Sequence, residues 1–373
     1  MTAVLLVAHV GNIARKIVGC LHRAGYEVDV LSIGRQTLGL GRSRFVRRFD
    51  AIDAKGRGVP PAEDISRWIA SSERSRRWVA VLGDDLPCHQ LLHGIAPHVR
   101  TPVFAPTSPE RLAALYDKWS FYRLVADVPG VRTPPSALLA AADADATAIA
   151  ATIGFPLLVK PLTGEGGHGI GSVRDEHELR GHLARRDADD FPLKLQRFIR
   201  GPTLGLSLLA AEGRILASDV QLHRADGARQ IVDDDAVQAM GERIVAALGY
   251  AGPGHIDFVR DEATGETYAI EFNCRFWSSV EVSLWLGGNF PALAVDVARG
   301  KPVPARPTSP GYFFQAGVAG RKIRRPWELL SLGAPTWRSV AHALSDPGPL
   351  LADVARRRGW SRPRRVRSPD RGD

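Results

Sequence analysis

Cysteine is scarce: the 373 residues hold three, Cys20, Cys88 and Cys274. None lies in a short-spaced pair, which excludes a disulfide framework and a Cys-based zinc site and fits a reducing, cytoplasmic setting. No apolar run approaches the ~18 residues that cross a bilayer, so no membrane partner is expected. The opening Met1-Thr2-Ala3-Val4-Leu5-Leu6-Val7 has no basic leader and reads as a β-strand, not as a secretory signal. The turn after it, His9-Val10-Gly11-Asn12, lacks the Gly-x-Gly-x-x-Gly spacing of a dinucleotide site. There is no Gly-x-Ser-x-Gly nucleophile elbow. His89-Gln90-Leu91-Leu92-His93 has zincin spacing, but Gln90 stands where the general-base Glu belongs. Internal repeats are absent too. What is present is 45% hydrophobic and 24% charged residues, enough for a large core and two or three domains.

Charge of one sign is also nearly missing once its source is located. The formal net charge is +9. Arg356 to Asp373 holds eight Arg and two Asp, a net of +6, so the rest carries only +3. This Arg/Pro-rich tail reads as a disordered, solvated end. It is the one feature that could attract nucleic acid or an acidic partner, and nothing else in the chain supports a nucleic-acid partner.

The first hundred residues alternate strand and helix. Val4–Ala8 is short and apolar, Asn12 to Ala24 has helical spacing, and Tyr26–Leu31 is a second strand. A helical stretch around Asp64–Ser71 precedes a third strand at Trp78–Leu82. The β-α-β rhythm predicts a parallel sheet covered by helices, an α/β region. Ser108-Pro109-Glu110 then opens a helix with Leu112, Leu115, Trp119 and Tyr122 as its buried stripe, ending near Asp127. An Ala-rich helix from about Asp145 to Ile153 closes at Gly154, and Phe155 to Pro161 is a strand too apolar to be exposed. Trp277 and Trp285 flank an apolar run and read as core.

Three constellations carry chemistry. The first is Lys160 followed by Thr163-Gly164-Glu165-Gly166-Gly167-His168-Gly169-Ile170-Gly171, where five of nine residues are Gly. A strand resumes at Ile170, which puts the glycines at a hairpin tip. Without Cβ atoms such a loop brings backbone N–H groups against phosphate oxygens, with Lys160 adding fixed charge. A flexible surface hairpin is the plain alternative. The second constellation is a β-hairpin, Gly254–Val259 and Tyr268–Arg275, around a turn centred on Thr264. This register sets Asp257 opposite Glu271, with Asn273 and Arg275 on Glu271's face and Ile256, Phe258, Tyr268, Ile270 and Phe272 on the apolar one. Two facing carboxylates repel unless a hard cation lies between them, and two carboxylates with an amide oxygen suit Mg²⁺. A solvated polar face is the alternative. The third is Lys118 in Tyr116-Asp117-Lys118-Trp119, by itself an ordinary solvated helix lysine.

Taken in order, Asp117-Lys118, Phe155–Pro161, Gly164–Gly171, Leu195–Gly201 and Glu271–Trp277 resemble an ATP-grasp enzyme of the carboxylate–amine ligase type, from about Tyr116 to Lys301. The resemblance implies an α/β (α+β) ATP-grasp fold behind an N-terminal βαβ parallel-sheet domain. Its implied domains are residues 1–107, an ATP-grasp domain over 108–305 with a lid at about 155–200, a C-terminal extension over 306–355 and the basic tail over 356–373. It implies that Lys118 and Lys160 contact ATP phosphates under a lid containing Gly164, Gly166, Gly167 and Gly169. Gln196, Arg197, Phe198 and Ile199 would form the linker against adenine. Asp257, Glu271 and Asn273 would hold one or two Mg²⁺ (or Mn²⁺). Arg275 would stabilise the transferring phosphoryl group, with Lys160 as its catalytic companion. An arginine stays protonated and can fork onto two oxygens. The sequence departs from the pattern at Arg197, where Glu is frequent, at Thr203, where an acidic ribose contact is frequent, and at Cys274, where Pro is usual.

The implied activity joins a small-molecule carboxylate to an amine with ATP. A phosphotransferase on the same scaffold and a non-catalytic nucleotide-binding protein are the competing readings. Asp233-Asp234-Asp235 reads as a solvated acidic loop that could also attract an amine. Tyr312–Phe314 and Arg321-Lys322-Ile323-Arg324-Arg325, beyond Lys301, are open to covering the site or to a homodimer contact.

Overall fold

Strand β1 (Ala3–Ala8) is buried along its whole length, as an unbroken apolar run in the middle of a parallel sheet must be. The computed structural model describes residues 2–53, 59–104, 107–142, 144–164, 166–314 and 333–357. Glu165, Arg321 to Arg325 and the basic tail beyond Arg357 lie outside the described residues. In the first sheet β1 pairs in parallel with β2 (Glu27–Ser32) and β4 (Trp78–Gly83), and β2 with β3 (Val46–Ala51), giving the order β3-β2-β1-β4. The strand expected third is therefore the fourth. Edge strand β3, Val-Arg-Arg-Phe-Asp-Ala, is too charged to show an apolar run. Helix α1 (Gly11–Arg23) joins β1 to β2, α2 (Ala62–Ser72) joins β3 to β4, and α3 (Leu86–Ile95) follows β4.

The helix expected from Ser108 to Asp127 is two helices, α4 (Pro109–Tyr116) and α5 (Lys118–Val125). Asp117 has an extended backbone and its side chain accepts a hydrogen bond from Ser120 N at 2.6 Å, so it stops one helix and caps the next. The break shifts the helical phase. Phe121 and Val125 are buried in α5, while Trp119 and Tyr122, expected in the stripe, are half-buried and stacked on each other. Lys118, expected in solvent, is buried.

A second sheet, order β5-β8-β6-β7, is antiparallel. It comprises β5 (Ser136–Leu139), β6 (Leu157–Pro161), β7 (Gly171–Val173) and β8 (Leu193–Arg197), covered by α6 (Ala146–Ile153) and α7 (Glu176–Leu183). Leu157, Val159, Leu193 and Leu195 point into the core beneath those helices. Alternation sends Lys160, Lys194 and Gln196 to the opposite face. The glycines sit between β6 and β7, the hairpin tip that the sequence predicts.

The third sheet has six strands in the order β13-β12-β9-β10-β11-β14. These are β9 (Thr203–Ala211), β10 (Arg214–His223), β11 (Arg229–Val232), β12 (Gly252–Arg260), β13 (Thr267–Asn273) and β14 (Gly311–Phe313). Helix α8 (Asp235–Leu248) covers one face, burying Val237, Ile244, Val245 and Leu248 against Leu206, Ile256 and Phe272. In the β12–β13 hairpin Asp257 does face Glu271, but a bulge follows, so that Phe258 pairs with Ala269. This corrects the expected apolar face. Thr267 and Ala269 turn inward, and Tyr268 and Ile270 are left half-buried. Cys274 is a packed thiol in the same core, raised well above the ordinary thiol pKa by burial.

After β13 the chain packs back onto the first sheet. Phe276, Trp277, Val280, Phe290 and Val295 share one core with Val4, Leu6, Ile17 and Leu82, through α9 (Val280–Trp285) and α10 (Phe290–Ala298). Helices α11 (Gly333–Ser345) and α12 (Pro347–Arg357) complete the described chain, and Asp346 accepts from Ser43 Oγ and Arg44 N. Among the described residues no helix is long and apolar enough to cross a membrane.

Candidate active site

The hairpin supplies the acidic side of the site. Asn273 Nδ2 donates to Asp257 Oδ2 at 3.0 Å and to Glu271 Oε1 at 3.5 Å, so one amide spans both carboxylates. Burial raises the Glu271 pKa first, and the Asp257 charge raises it further. Burial pushes Asp257 up as well, but the hydrogen bond and charge of His255 outweigh that and hold it below the usual carboxylate range. These are two close, partly desolvated carboxylates in need of positive charge. Asp257 and Glu271 supply hard carboxylate oxygens that suit Mg²⁺ or Mn²⁺; the Asn273 amide presents its nitrogen to them and its oxygen to Arg275, and would add its oxygen to such an ion by turning over.

The basic side comes from three elements. Lys118, at the first turn of α5, donates from Nζ to Gly164 O at 2.8 Å and lies 3.7 Å from Glu271 Oε2. Its backbone N–H donates to Leu162 O at 2.8 Å, which ties the α4–α5 break to the start of the glycine loop. Lys160, on β6, is 5% exposed, and burial lowers its pKa to about 8. Lys194, on β8 directly opposite Lys160, is buried more deeply, and burial with the Lys160 charge lowers it to about 7. Gly164, Gly166, Gly167 and Gly169 all have φ between 67° and 109°, a left-handed backbone that side-chain-bearing residues avoid. Arg186 Nη2 donates to Gly169 O at 2.6 Å and holds the far end of the loop.

Arg275 joins this cluster from below. Its Nη2 donates to Asn273 Oδ1 at 3.2 Å and its Nη1 to Phe276 O at 3.0 Å, and its Nε is 3.4 Å from Asp85 Oδ1. Asp85 follows β4 in the first sheet and also faces His9 at 3.5 Å. The two regions therefore meet at the ion pair between Asp85 and Arg275.

The structure thus brings Lys118, Lys160, Gly164, Asp257, Glu271, Asn273 and Arg275 together. Gly166, Gly167 and Gly169 extend outward as an exposed loop. Gln196 is buried, its Nε2 without a partner among the described residues, Arg197 and Phe198 are exposed at the end of β8, and Ile199 is half-buried beyond them. The acidic Asp233-Asp234-Asp235 does not join the cluster. Asp234 caps α8 through Val237 N at 3.1 Å and pairs with Arg260 at 2.7 Å, while Asp233 and Asp235 pair with Arg306. Tyr312 is exposed on the edge strand β14.

Sequence reasoning missed Asp85, Lys194, His223 and His255. One ring nitrogen each of His223 and His255 and a carboxylate oxygen of Asp257 lie within 4.8 Å of one another, and burial lowers His223 to about 4. Three of the four have a readable signal. Asp85 follows the carboxyl end of a parallel strand, a usual place for ligand contacts. Lys194 and His255 sit two residues before Gln196 and Asp257, and so share their faces.

Three comparisons bear on this arrangement. Residues 117–194 match the family model described as the carbamoyl-phosphate synthase L chain, ATP binding domain. D-alanine–D-alanine ligase of Laribacter hongkongensis is 33% identical over 175 residues, 42% of this chain and 55% of that protein. The chain spans about half, or less, of the length of the curated relatives it matches. N5-carboxyaminoimidazole synthetase from Staphylococcus aureus superposes with a TM-score of 0.64 at 14% identity, covering 88% of this chain and 84% of that one. The biotin carboxylase domain of the Hydrogenobacter thermophilus 2-oxoglutarate carboxylase, solved with MgADP, ADP and bicarbonate, gives 0.62 at 19% identity over 83% and 73%. The chain carries the ATP-grasp fold. We call the antiparallel sheet bearing Lys160 and the glycines the lid sheet, and the six-stranded sheet bearing Asp257 and Glu271 the floor sheet, as labels of position. The family-model match runs from Asp117 to Lys194.

Proposed function

We propose that the protein is an ATP-dependent ligase that activates a carboxylate as an acyl phosphate and joins it to an amine. The observation that carries this reading is the facing carboxylate pair Asp257 and Glu271, bridged by the Asn273 amide and met by buried Lys118, which also holds the start of the glycine loop. Structures of ATP-grasp ligases with the same fold support it.

A carboxylate is a poor electrophile until one of its oxygens becomes a leaving group. In the first step a substrate carboxylate oxygen attacks the γ-phosphorus of ATP, the bond to ADP breaks, and an acyl phosphate forms. The amine then attacks the acyl carbon, phosphate leaves, and the amine gives up a proton. The negative charge spreads over phosphate oxygens, so positioning and electrostatics supply most of the rate. Lys118 and Lys160 bind those oxygens. Arg275, held by Asp85, faces the oxygens that gain charge. The glycine loop excludes water that would hydrolyse the acyl phosphate. When bound between Asp257, Glu271 and Asn273, Mg²⁺ or Mn²⁺ neutralises phosphate charge.

An ADP-release screen of carboxylates against amines tests this. ADP is expected only when both are present with a divalent ion, and hydroxylamine is expected to replace the amine. A stable phosphorylated product without an amide would assign a phosphotransferase. No nucleotide turnover across a broad panel would leave a nucleotide-binding protein.

A further inference from the structure

We propose that Lys194 is a third phosphate-binding lysine of this cleft, closing on the nucleotide beside Lys118 and Lys160. This rests on the ATP reading above. The strand register puts Lys194 directly opposite Lys160, while Leu193 and Leu195 on either side enter the lid core. Packing alone would be served by another leucine. Instead the position holds an ammonium that is 1% exposed.

That ammonium has three donors. It donates to Lys118 O at 3.3 Å, and it sits 4.9 Å from the centre of the Tyr122 ring. Among the described residues no carboxylate pairs with it. The charged groups facing it are Lys118 and Asp117 at the α4–α5 break, Lys160 on β6 and Glu271 on β13. Leu138, its neighbour on β5, is apolar. Three lysines thus share Glu271, which already pairs with Lys118, while Asp117 near Lys194 caps α5 and Asp257 near Lys160 is held by Asn273. A buried lysine with so little compensation is costly as a cation. A polyphosphate in the cleft supplies the missing anion and satisfies all three ammonium groups at once.

The test is nucleotide binding by calorimetry on the full chain with Mg²⁺, using AMP, ADP and ATP. Charge-assisted hydrogen bonds are worth enough that Lys194→Met should weaken ATP about 10- to 100-fold. AMP affinity should stay within about twofold, and Lys194→Arg should keep the preference for ATP over AMP. At pH 8 Lys194 is mostly neutral in the free protein, so ATP binding should take up a proton, read from the heat in buffers of different ionisation enthalpy. That uptake should shrink in both variants. Unchanged ATP affinity and proton uptake in Lys194→Met would overturn the proposal, and so would equal weakening of AMP and ATP, which marks a purely structural role. A wild-type chain that binds neither ADP nor ATP would instead remove the ATP reading and this inference together. Thermal unfolding confirms that each variant is folded.

Discussion

Glu271 and Asp257 oppose each other across a bulged hairpin, with the Asn273 amide between them as a weak substitute for a cation. Removing one negative charge should therefore relieve the empty protein while disabling it. Glu271→Gln is expected to lose at least about a hundredfold in ADP release, as charge-stabilising groups do, and to unfold at the same or a higher temperature. Full turnover with an unchanged divalent-ion requirement would remove Glu271 from the site. The same logic applies to the guanidinium. Arg275→Lys puts a point charge where Asp85, Asn273 and Phe276 hold a fork. Its kcat should fall far more than its KM rises, and an unchanged kcat would count against the assignment. Lys160 sets a pH dependence. Burial holds its folded pKa at about 8, below the unfolded value, so between about pH 8 and 10.4 the unfolded chain binds more protons and this residue's term makes the fold more stable as pH rises. Nucleotide binding runs the other way, because the phosphates need the charged form. ATP affinity should fall as pH rises through 8, and Lys160→Met should flatten that slope.

At the scale of elements, Asp117 does two jobs with one side chain. It ends α4 and caps α5, and the break lets Lys118 turn its backbone toward Leu162 and its ammonium toward Gly164. Asp117→Ala should cost ~1 kcal/mol of stability, the usual worth of a cap, and also raise the KM for ATP several-fold. A loss of stability with an unchanged KM would separate the cap from the phosphate site. This element also shows where the sequence was readable. The apolar spacing of Leu112 and Leu115 predicts α4, but the same stripe continued through Trp119 and Tyr122 hides the phase slip, because helical periodicity has no marker for a one-residue cap inside it. The hairpin was legible where alternation held, from His255 to Asp257 against Glu271 to Asn273. It failed beyond the bulge, since one extra residue swaps every later face. The β9–β10 turn at Glu212-Gly213, both with positive φ, was legible in principle, although Glu in place of Asn or Asp weakens the signal. Lys194 shares the face of Gln196, yet its burial was hidden for a different reason. A lysine between two leucines reads as the solvent side of a strand, and only the arrival of α5 and Tyr122 over that face turns it into an interior group.

At the scale of the molecule, the site belongs to no single core. Lys160 and Lys194 rise from the lid core, Asp257 and Glu271 from the floor core, and Arg275 leads into the core shared with the first sheet, where Asp85 meets it. Among the described residues Lys118 links the lid to the floor through Gly164 and Glu271. A ligand that fills this gap should therefore couple the lid to the rest of the chain. MgATP or a non-hydrolysable analogue at a hundredfold excess over its Kd adds ~2.7 kcal/mol to the state that binds it. The expected result is a higher unfolding temperature together with protection of the chain between β6 and β7 from proteolysis, both requiring nucleotide and divalent ion together. Either ligand alone should do much less, because the lysines and the carboxylates each lack half of their partner. In Glu271→Gln the part that depends on the divalent ion should disappear while the nucleotide part survives. Protection of the loop by the divalent ion alone, or an equal effect of nucleotide in EDTA, would mean that the lid closes without the floor, and the two sides would then not form one site.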